Sequence, residues 1–262
     1  MNISCIQMDM ALGKREENFL RARTLAEKAM EEKPDVLVFP ELWDVGFFPR
    51  EELLSLSLGE EERAKAFFGT LARQFNVNIV AGSIASRREG KVYNTALVFD
   101  RTGSCIARYD KSHLFSPMGE NDWFAPGHRL CTFFLDAVPC GLLICYDLRF
   151  PEAARTLALS GMDVLFVVAQ WPRERVSQMK TLLSARAVEN QVYALCCNSC
   201  ATAGDTVYGG NSCAFDPLGN CLSQAGEREE ILPVSCDPGS LPALRKAIPV
   251  FGERRPEIYK NF

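Results

Sequence analysis

Three short stretches of the sequence each end an apolar run with a side chain that can do chemistry. Val38-Phe39-Pro40-Glu41 ends in a carboxylate, Tyr109-Asp110-Lys111 in an amine, and Leu143-Ile144-Cys145-Tyr146-Asp147 carries a thiol. Apolar runs of this length read as buried strands, and the ends of strands are where layered α/β folds build ligand sites. A thiol is a nucleophile once deprotonated, an acid can take its proton, and an ammonium can steady a developing negative charge. Taken singly, each residue has an ordinary reading: Glu41 as a surface or first-turn acid, Lys111 as a solvated charge, Cys145 as core. The chain holds only two histidines, His113 and His128, which excludes zinc sites with several histidines and histidine relays. A papain-like pairing of Cys145 would need one of them as base, and His113 reads instead as a packed strand-end residue. Cys196, Cys197 and Cys200 lack a second cysteine pair at ligand spacing, so they read as buried strand thiols and no metal is expected.

Bringing those strand ends together requires many strands with helices between them. Apolar runs predict strands over 3–8, 36–39, 78–85, 92–99, 104–109, 130–135, 141–144, 164–168, 192–198, 212–215, 221–223 and 230–235. Arg101-Thr102-Gly103 turns the chain between two of them, as a hairpin does. Helical spacing covers 14–32, with Ala22, Leu25, Ala26 and Ala29 on one face, and 60–75. Further helices are expected over 151–159, where Pro151 suits a first turn, over 173–189, with Val176, Met179, Leu183 and Val188 inward, and over 238–247. Residues 112–129 read as loop, broken by Pro117, Gly119, Pro126 and Gly127. Interleaved strands and helices favour an α/β layered domain, and two β-rich stretches, near 78–110 and 191–236, suggest more than one sheet.

The chain of 262 residues, 47% apolar, is expected to form one domain over 1–262. No apolar run approaches the ~18 residues needed to cross a bilayer, and the N-terminus does not read as a signal peptide, so no membrane partner is expected. A net charge of −4 argues against a nucleic-acid partner. Eleven cysteines, several inside apolar runs, are expected as reduced thiols in a cytoplasmic core.

The surroundings of the three reactive residues resemble the nitrilase superfamily of carbon–nitrogen hydrolases. Phe39-Pro40-Glu41-Leu42-Trp43 is similar to its glutamate motif and Tyr109-Asp110-Lys111-Ser112-His113-Leu114-Phe115 to its lysine motif. The run from Gly141 to Glu152, with Cys145-Tyr146-Asp147-Leu148-Arg149 at its centre, is similar to its cysteine motif. Further similarity lies in Ser184-Ala185-Arg186-Ala187-Val188-Glu189-Asn190-Gln191 and in Ile248-Pro249-Val250-Phe251, so the resemblance covers nearly the whole chain in the family's order. One departure is Asp110, where many relatives carry a basic residue. The resemblance implies a four-layer α-β-β-α sandwich, commonly paired through helices into a homodimer.

It also implies a mechanism. Cys145 is the nucleophile and Glu41 its base, with a pKa raised by partial burial. Lys111 opposes that rise and favours the thiolate. Lys111 and the backbone N–H of Tyr146 would hold the oxyanion, the acyl group would pass through a thioester, and no cofactor is required. Glu120 resembles an additional active-site glutamate that orients Lys111 or the substrate. The phrase Ala169-Gln170-Trp171-Pro172 resembles the bacterial ω-amidase branch, whose substrates are small carboxylate-bearing amides of the 2-oxoglutaramate or 2-oxosuccinamate type. Arg149 would bind the carboxylate and Trp43 and Trp171 would wall the pocket. N-carbamoyl amines, aliphatic amides and nitriles stay open as substrates, as does a catalytically weak binding module, against which the joint presence of Glu41, Lys111 and Cys145 argues.

Overall fold

The computed structural model describes residues 1–47 and 49–259. The first half runs β1 (Asn2–Gln7), α1 (Arg15–Ala29), β2 (Val36–Val38), a single turn α2 (Leu53–Leu56), α3 (Glu60–Phe75), β3 (Asn78–Arg88), β4 (Lys91–Phe99) and β5 (Cys105–Asp110). The second runs β6 (Cys131–Leu135), β7 (Val138–Ile144), α4 (Pro151–Leu159), β8 (Val164–Ala169), α5 (Val176–Asn190), β9 (Tyr193–Asn198), β10 (Cys200–Ala203), β11 (Thr206–Gly209), β12 (Cys213–Phe215), β13 (Cys221–Gln224), β14 (Glu230–Ser235) and α6 (Leu241–Ala247).

Two six-stranded sheets result, in the orders β14-β1-β2-β3-β4-β5 and β13-β12-β9-β8-β7-β6. The central strands are parallel, β1 to β2 to β3 in one sheet and β7 to β8 to β9 in the other, and the outer pairings are antiparallel. Side-chain alternation shows how the layers stack. In β8, Val164, Phe166 and Val168 enter the core between the sheets, while Leu165, Val167 and Ala169 pack under α4 and α5 with Leu157, Met179 and Leu183. In β2, Val36 and Val38 face the other sheet, while Leu37 packs under α1 and α3 with Ala22, Leu25 and Phe68. The architecture is therefore the α-β-β-α sandwich. A strand buried on both faces must be apolar at every position, which is why β8 reads as an unbroken apolar run. Each of its larger side chains contributes roughly 1.5–3 kcal/mol by burial, so the strand rigidly carries the residues after it.

Most strand and helix expectations meet an element within a few residues. Three points differ. The α5 stripe is Val176, Met179, Leu183, Ala187 and Asn190, and Val188 is 46% exposed. Val188 stands five residues beyond Leu183, which carries it off the face that helical spacing defines. The hairpin β10–β11 and the turn α2 have no counterpart among the expected elements, because four-residue segments are too short to display a strand or helix period. Residues 112–129 form the expected loop, stiffened by two 3₁₀ turns, Ser116–Met118 and Glu120–Asp122. All eleven cysteines are free. Among the described residues no helix is long and apolar enough to cross a membrane.

Candidate active site

Four strand ends converge from the two sheets. After β2 the chain is tied to β3: Phe39 N–H donates to Val80 O at 2.9 Å and Leu42 N–H to Ser83 Oγ at 3.0 Å. The approach is so close that a Cβ on Gly82 would lie 2.0 Å from the Pro40 carbonyl oxygen. Leu42 itself turns through the left-handed region (φ 41°), a conformation a branched residue adopts only when neighbours enforce it. The result is a wholly buried Glu41. Its Oε1 accepts from Lys111 Nζ and Asn94 Nδ2, each at 2.8 Å, and its Oε2 from the backbone N–H of Gln170 at 3.0 Å.

Lys111 stands directly after β5. Its N–H donates to Asn94 O at 2.9 Å, and its carbonyl accepts from Gly127 N–H at 2.8 Å as the loop returns. Nothing larger than glycine fits at 127, where a Cβ would stand 2.1 Å from Asp110 O. Lys111 Nζ reaches both oxygens of Glu120, at 2.9 and 2.8 Å. Glu120 is held in turn by Phe115 N–H at 2.6 Å and Asn94 Nδ2 at 3.2 Å. One ammonium thus lies between two carboxylates, all three fully buried. Burial pushes the Glu41 carboxyl up, against the pull of Lys111 and with the help of the Glu120 charge. Burial alone would drive Lys111 down, but Glu120 and Glu41 outweigh it and hold the ammonium well above its ordinary range. The unusual Asp110 turns away from this cluster to an ion pair with Arg88 at 2.6 Å and a hydrogen bond from Thr95 at 2.7 Å.

Cys145 stands directly after β7 and opens a 3₁₀ turn, Cys145–Arg149, with its own φ at 46°. Asp147 fixes that elbow. It accepts from Ile144 N–H at 3.0 Å and from Tyr109 OH at 2.7 Å, and meets the backbone N–H and Nδ1 of His113 at 2.9 and 2.8 Å. The thiol faces Glu41 as hydrogen-bond acceptor and Gln170 N–H as donor. Burial and then the Glu41 charge raise its pKa well above the ordinary value, and Lys111 does not offset them. The sequence-based expectation that Lys111 favours the thiolate is thus outweighed. The direction favours the thiol over the thiolate, so use of Cys145 as a nucleophile would call for a base to take its proton.

Cys145 opens into a pocket of about 340 Å³, its mouth included, walled by Tyr146, Trp171, Phe115, Arg149 and Arg175 among others. Of the residues expected here, Glu41, Lys111, Glu120 and Cys145 come together, and Tyr146, Arg149 and Trp171 line the pocket. Arg149 makes its hydrogen bond to Gln178 at 2.7 Å and lies over the Trp171 ring. Trp43 is a correction. It is fully buried among Phe19, Phe39, Phe67 and Phe68 under α1 and α3, with its indole N–H on Ala81 O at 2.9 Å. The left-handed turn at Leu42 leaves Glu41 at the site and sends Trp43 into the helix layer.

Three positioning residues escape a reading of the sequence. Asn94 bridges both glutamates. Gln170 holds Glu41 through its backbone N–H and its side chain, which donates to Glu41 O. Asp147 ties the cysteine elbow to the lysine strand. Polar residues inside otherwise apolar runs are the available signal. His113 is a packed residue, stacked on Phe150 at 3.7 Å. Cys197 Sγ points to the carbonyls of Ile6 and Val38, and Cys196 Sγ to Met179. Among the described residues no group of three or more His, Cys, Asp or Glu could hold a metal.

Comparison with known proteins gives one family. The sequence model described as carbon–nitrogen hydrolase matches residues 2–246. A 2-oxoglutaramate amidase of Bacillus subtilis is 39% identical over 260 residues, 98% of each chain. The crystal structure of Saccharomyces cerevisiae Nit3, a member of branch 10 of the nitrilase superfamily, superimposes with a TM-score of 0.90 at 28% identity, covering 97% of this chain and 96% of that one. A variant of the amidase from Nesterenkonia sp. AN1, in which acrylamide has added to the active site cysteine, gives 0.88 at 26% identity over 100% and 99% of the two chains.

Proposed function

Since the chain belongs to the carbon–nitrogen hydrolase family, we propose that it is an amidase that hydrolyses a small carboxylate-bearing amide, of the 2-oxoglutaramate or 2-oxosuccinamate type, to the acid and ammonia through a thioester on Cys145. The observation that carries this reading is a single carboxylate, Glu41, that faces the Cys145 thiol while bonded to Lys111 beneath one pocket.

Cys145 Sγ attacks the amide carbon as Glu41 takes the thiol proton. A carboxylate raised by burial is better matched to this transfer than one at 4.5. The carbonyl oxygen becomes an oxyanion, held by the Lys111 ammonium and the Tyr146 backbone N–H. One such donor supplies roughly 2.7–4 kcal/mol of transition-state stabilisation. The tetrahedral intermediate collapses, the C–N bond breaks, and Glu41 returns its proton to the leaving nitrogen, giving ammonia and a thioester. Glu41 then takes a proton from water as it attacks the thioester, and the acid leaves with the thiol restored. Glu120 keeps Lys111 charged and aimed. Arg149 binds the distal carboxylate beside Trp171.

The reading includes one domain over 1–262, a homodimer and a cytoplasmic setting. Exposed Leu159 and Val188 on α4 and α5 support pairing through the outer helices, and the free cysteines support a reducing compartment. The test is ammonia release from 2-oxoglutaramate, glutamine, N-carbamoylputrescine, butyramide and a simple nitrile. The expected result is a clear preference for 2-oxoglutaramate. Equal or better turnover of the neutral amide or the nitrile would overturn the substrate class.

A further inference from the structure

The pocket rim carries a second guanidinium for which the proposed mechanism has no use. Arg175 stands immediately before α5, far along the chain from Arg149, yet both line the pocket above Cys145. The two are held alike: Arg149 lies over the Trp171 ring at 4.7 Å and Arg175 over the Phe115 ring at 5.1 Å. Stacking orients a guanidinium through its face and leaves its N–H edges for in-plane acceptors.

Their partners set them apart from the ion-paired arginines of this protein. Arg88, Arg101 and Arg245 each grip a carboxylate, at 2.6, 2.9 and 2.7 Å. Arg149 bonds neutral Gln178, and the carboxylate contact of Arg175 is to its chain neighbour Glu174, at 4.0 Å through Nε with Glu174 66% exposed. An ion pair that long and that wet contributes little. Among the described residues the pocket lining holds these two arginines and no Asp or Glu. Beneath it, Glu41 and Glu120 surround one ammonium. An anionic group entering the pocket is therefore drawn to the rim and repelled from the floor, and the other end of the molecule is left at Cys145.

We propose that Arg175 is a specificity-determining residue that shares the substrate carboxylate with Arg149, so that two stacked guanidiniums from separate elements clamp one end of a small carboxylate-bearing amide. This rests on the amidase reading above. A carboxylate offers acceptor sites for two guanidiniums at once, and a 2-oxo oxygen beside it adds another. Clamping from two sides fixes how far the amide carbon lies from the anchor, and so selects chain length as well as charge.

The experiment compares wild type, Arg175→Gln, Arg175→Lys and Arg149→Gln on 2-oxoglutaramate and butyramide. Arg175→Gln is expected to lower kcat/KM for 2-oxoglutaramate about 10- to 100-fold, mainly through KM, as loss of a charge-assisted hydrogen bond implies. Butyramide turnover should stay within about twofold, and Arg175→Lys should restore part of the loss. If wild type prefers 2-oxoglutaramate and only Arg149→Gln removes the preference, Arg175 has no such role while the amidase reading stands. Equal losses on both substrates would likewise remove it, by making the residue structural. If wild type turns over neither substrate, the amidase reading fails, and titration calorimetry of 2-oxoglutarate into Cys145→Ala and Cys145→Ala/Arg175→Gln still decides the clamp. Weaker binding to the second protein supports it and equal binding overturns it.

Discussion

The floor and the rim of the pocket both carry positive charge, but they hold it in opposite ways. At the floor, Lys111 Nζ lies 2.8 Å from Glu41 and 2.8 Å from Glu120, with every one of these side chains wholly buried. At the rim, Arg149 and Arg175 rest on aromatic rings, where neutral or solvent-exposed neighbours constrain them weakly. A buried charge whose partners are all protein groups cannot move without stranding another charge. A stacked guanidinium with free N–H edges can take a ligand and release it. The floor is therefore suited to a reaction common to many amides, and the rim to choosing among them.

The largest test of that division is Cys145→Ala. Turnover of every amide should fall by about 10⁴-fold or more, as loss of a nucleophile does, irrespective of charge on the substrate. Ammonia assay on charged and neutral amides reads it, and residual turnover of either kind would place the chemistry elsewhere. Next is Lys111→Met. It leaves Glu41 and Glu120 buried without their common cation, so about 3–5 kcal/mol of stability should be lost along with activity on all substrates. Urea unfolding measures the first. The double variant Lys111→Met/Glu120→Gln should recover part of it, and a Lys111→Met protein as stable as wild type would show the floor to be less tightly coupled than its distances imply.

The floor is far more legible in the sequence than the rim, for a physical reason. Glu41, Lys111 and Cys145 each stand just beyond a strand, and a strand fixes the direction in which the chain leaves it, so an apolar run next to a reactive residue is informative. Glu120 sits in a loop and is reached only through resemblance. Asn94, Gln170 and Asp147 act by filling hydrogen-bonding positions, and a polar residue in a strand announces burial without naming its partner. Trp43 misleads because adjacency to Glu41 suggests proximity to the pocket, when one left-handed residue, Leu42, reverses the side chain's destination. Arg175 is invisible because it reaches the pocket from the turn before α5, with no apolar run to point it there. The two sheets are legible as strands, but the sandwich comes from resemblance, since the face a strand presents depends on a partner hundreds of atoms away along the chain.

At the rim, Arg149→Gln should lower kcat/KM for 2-oxoglutaramate about 10- to 100-fold and leave butyramide unchanged. The protein should unfold at the same urea concentration as wild type, since among the described residues that guanidinium donates its hydrogen bond to Gln178 alone. A loss of stability comparable to that of Lys111→Met would erase the distinction between the two regions, because the rim would then be as much a part of the framework as the floor.

The smallest effect separates the regions most cleanly. In the proposed mechanism Glu41 must be ionised to accept the Cys145 proton, and burial raises its pKa above the ordinary 4.5. The acid limb of kcat/KM should therefore lie above pH 4.5, with activity lost as pH falls through the raised value. The Glu120 charge contributes to that rise and Lys111 opposes it. Glu120→Gln removes a neighbouring negative charge and leaves Lys111 to Glu41 alone, and both changes favour ionised Glu41. The limb should move to lower pH, by about one unit or less, even as kcat itself falls. Arg149→Gln, at the rim, should leave the limb where it is while raising KM. A limb that moves upward in Glu120→Gln would mean that Glu120 acts on Glu41 chiefly by positioning Lys111 rather than by its charge. A limb that moves in Arg149→Gln would mean that the rim's field reaches the base, so that substrate choice and proton transfer could not be altered independently.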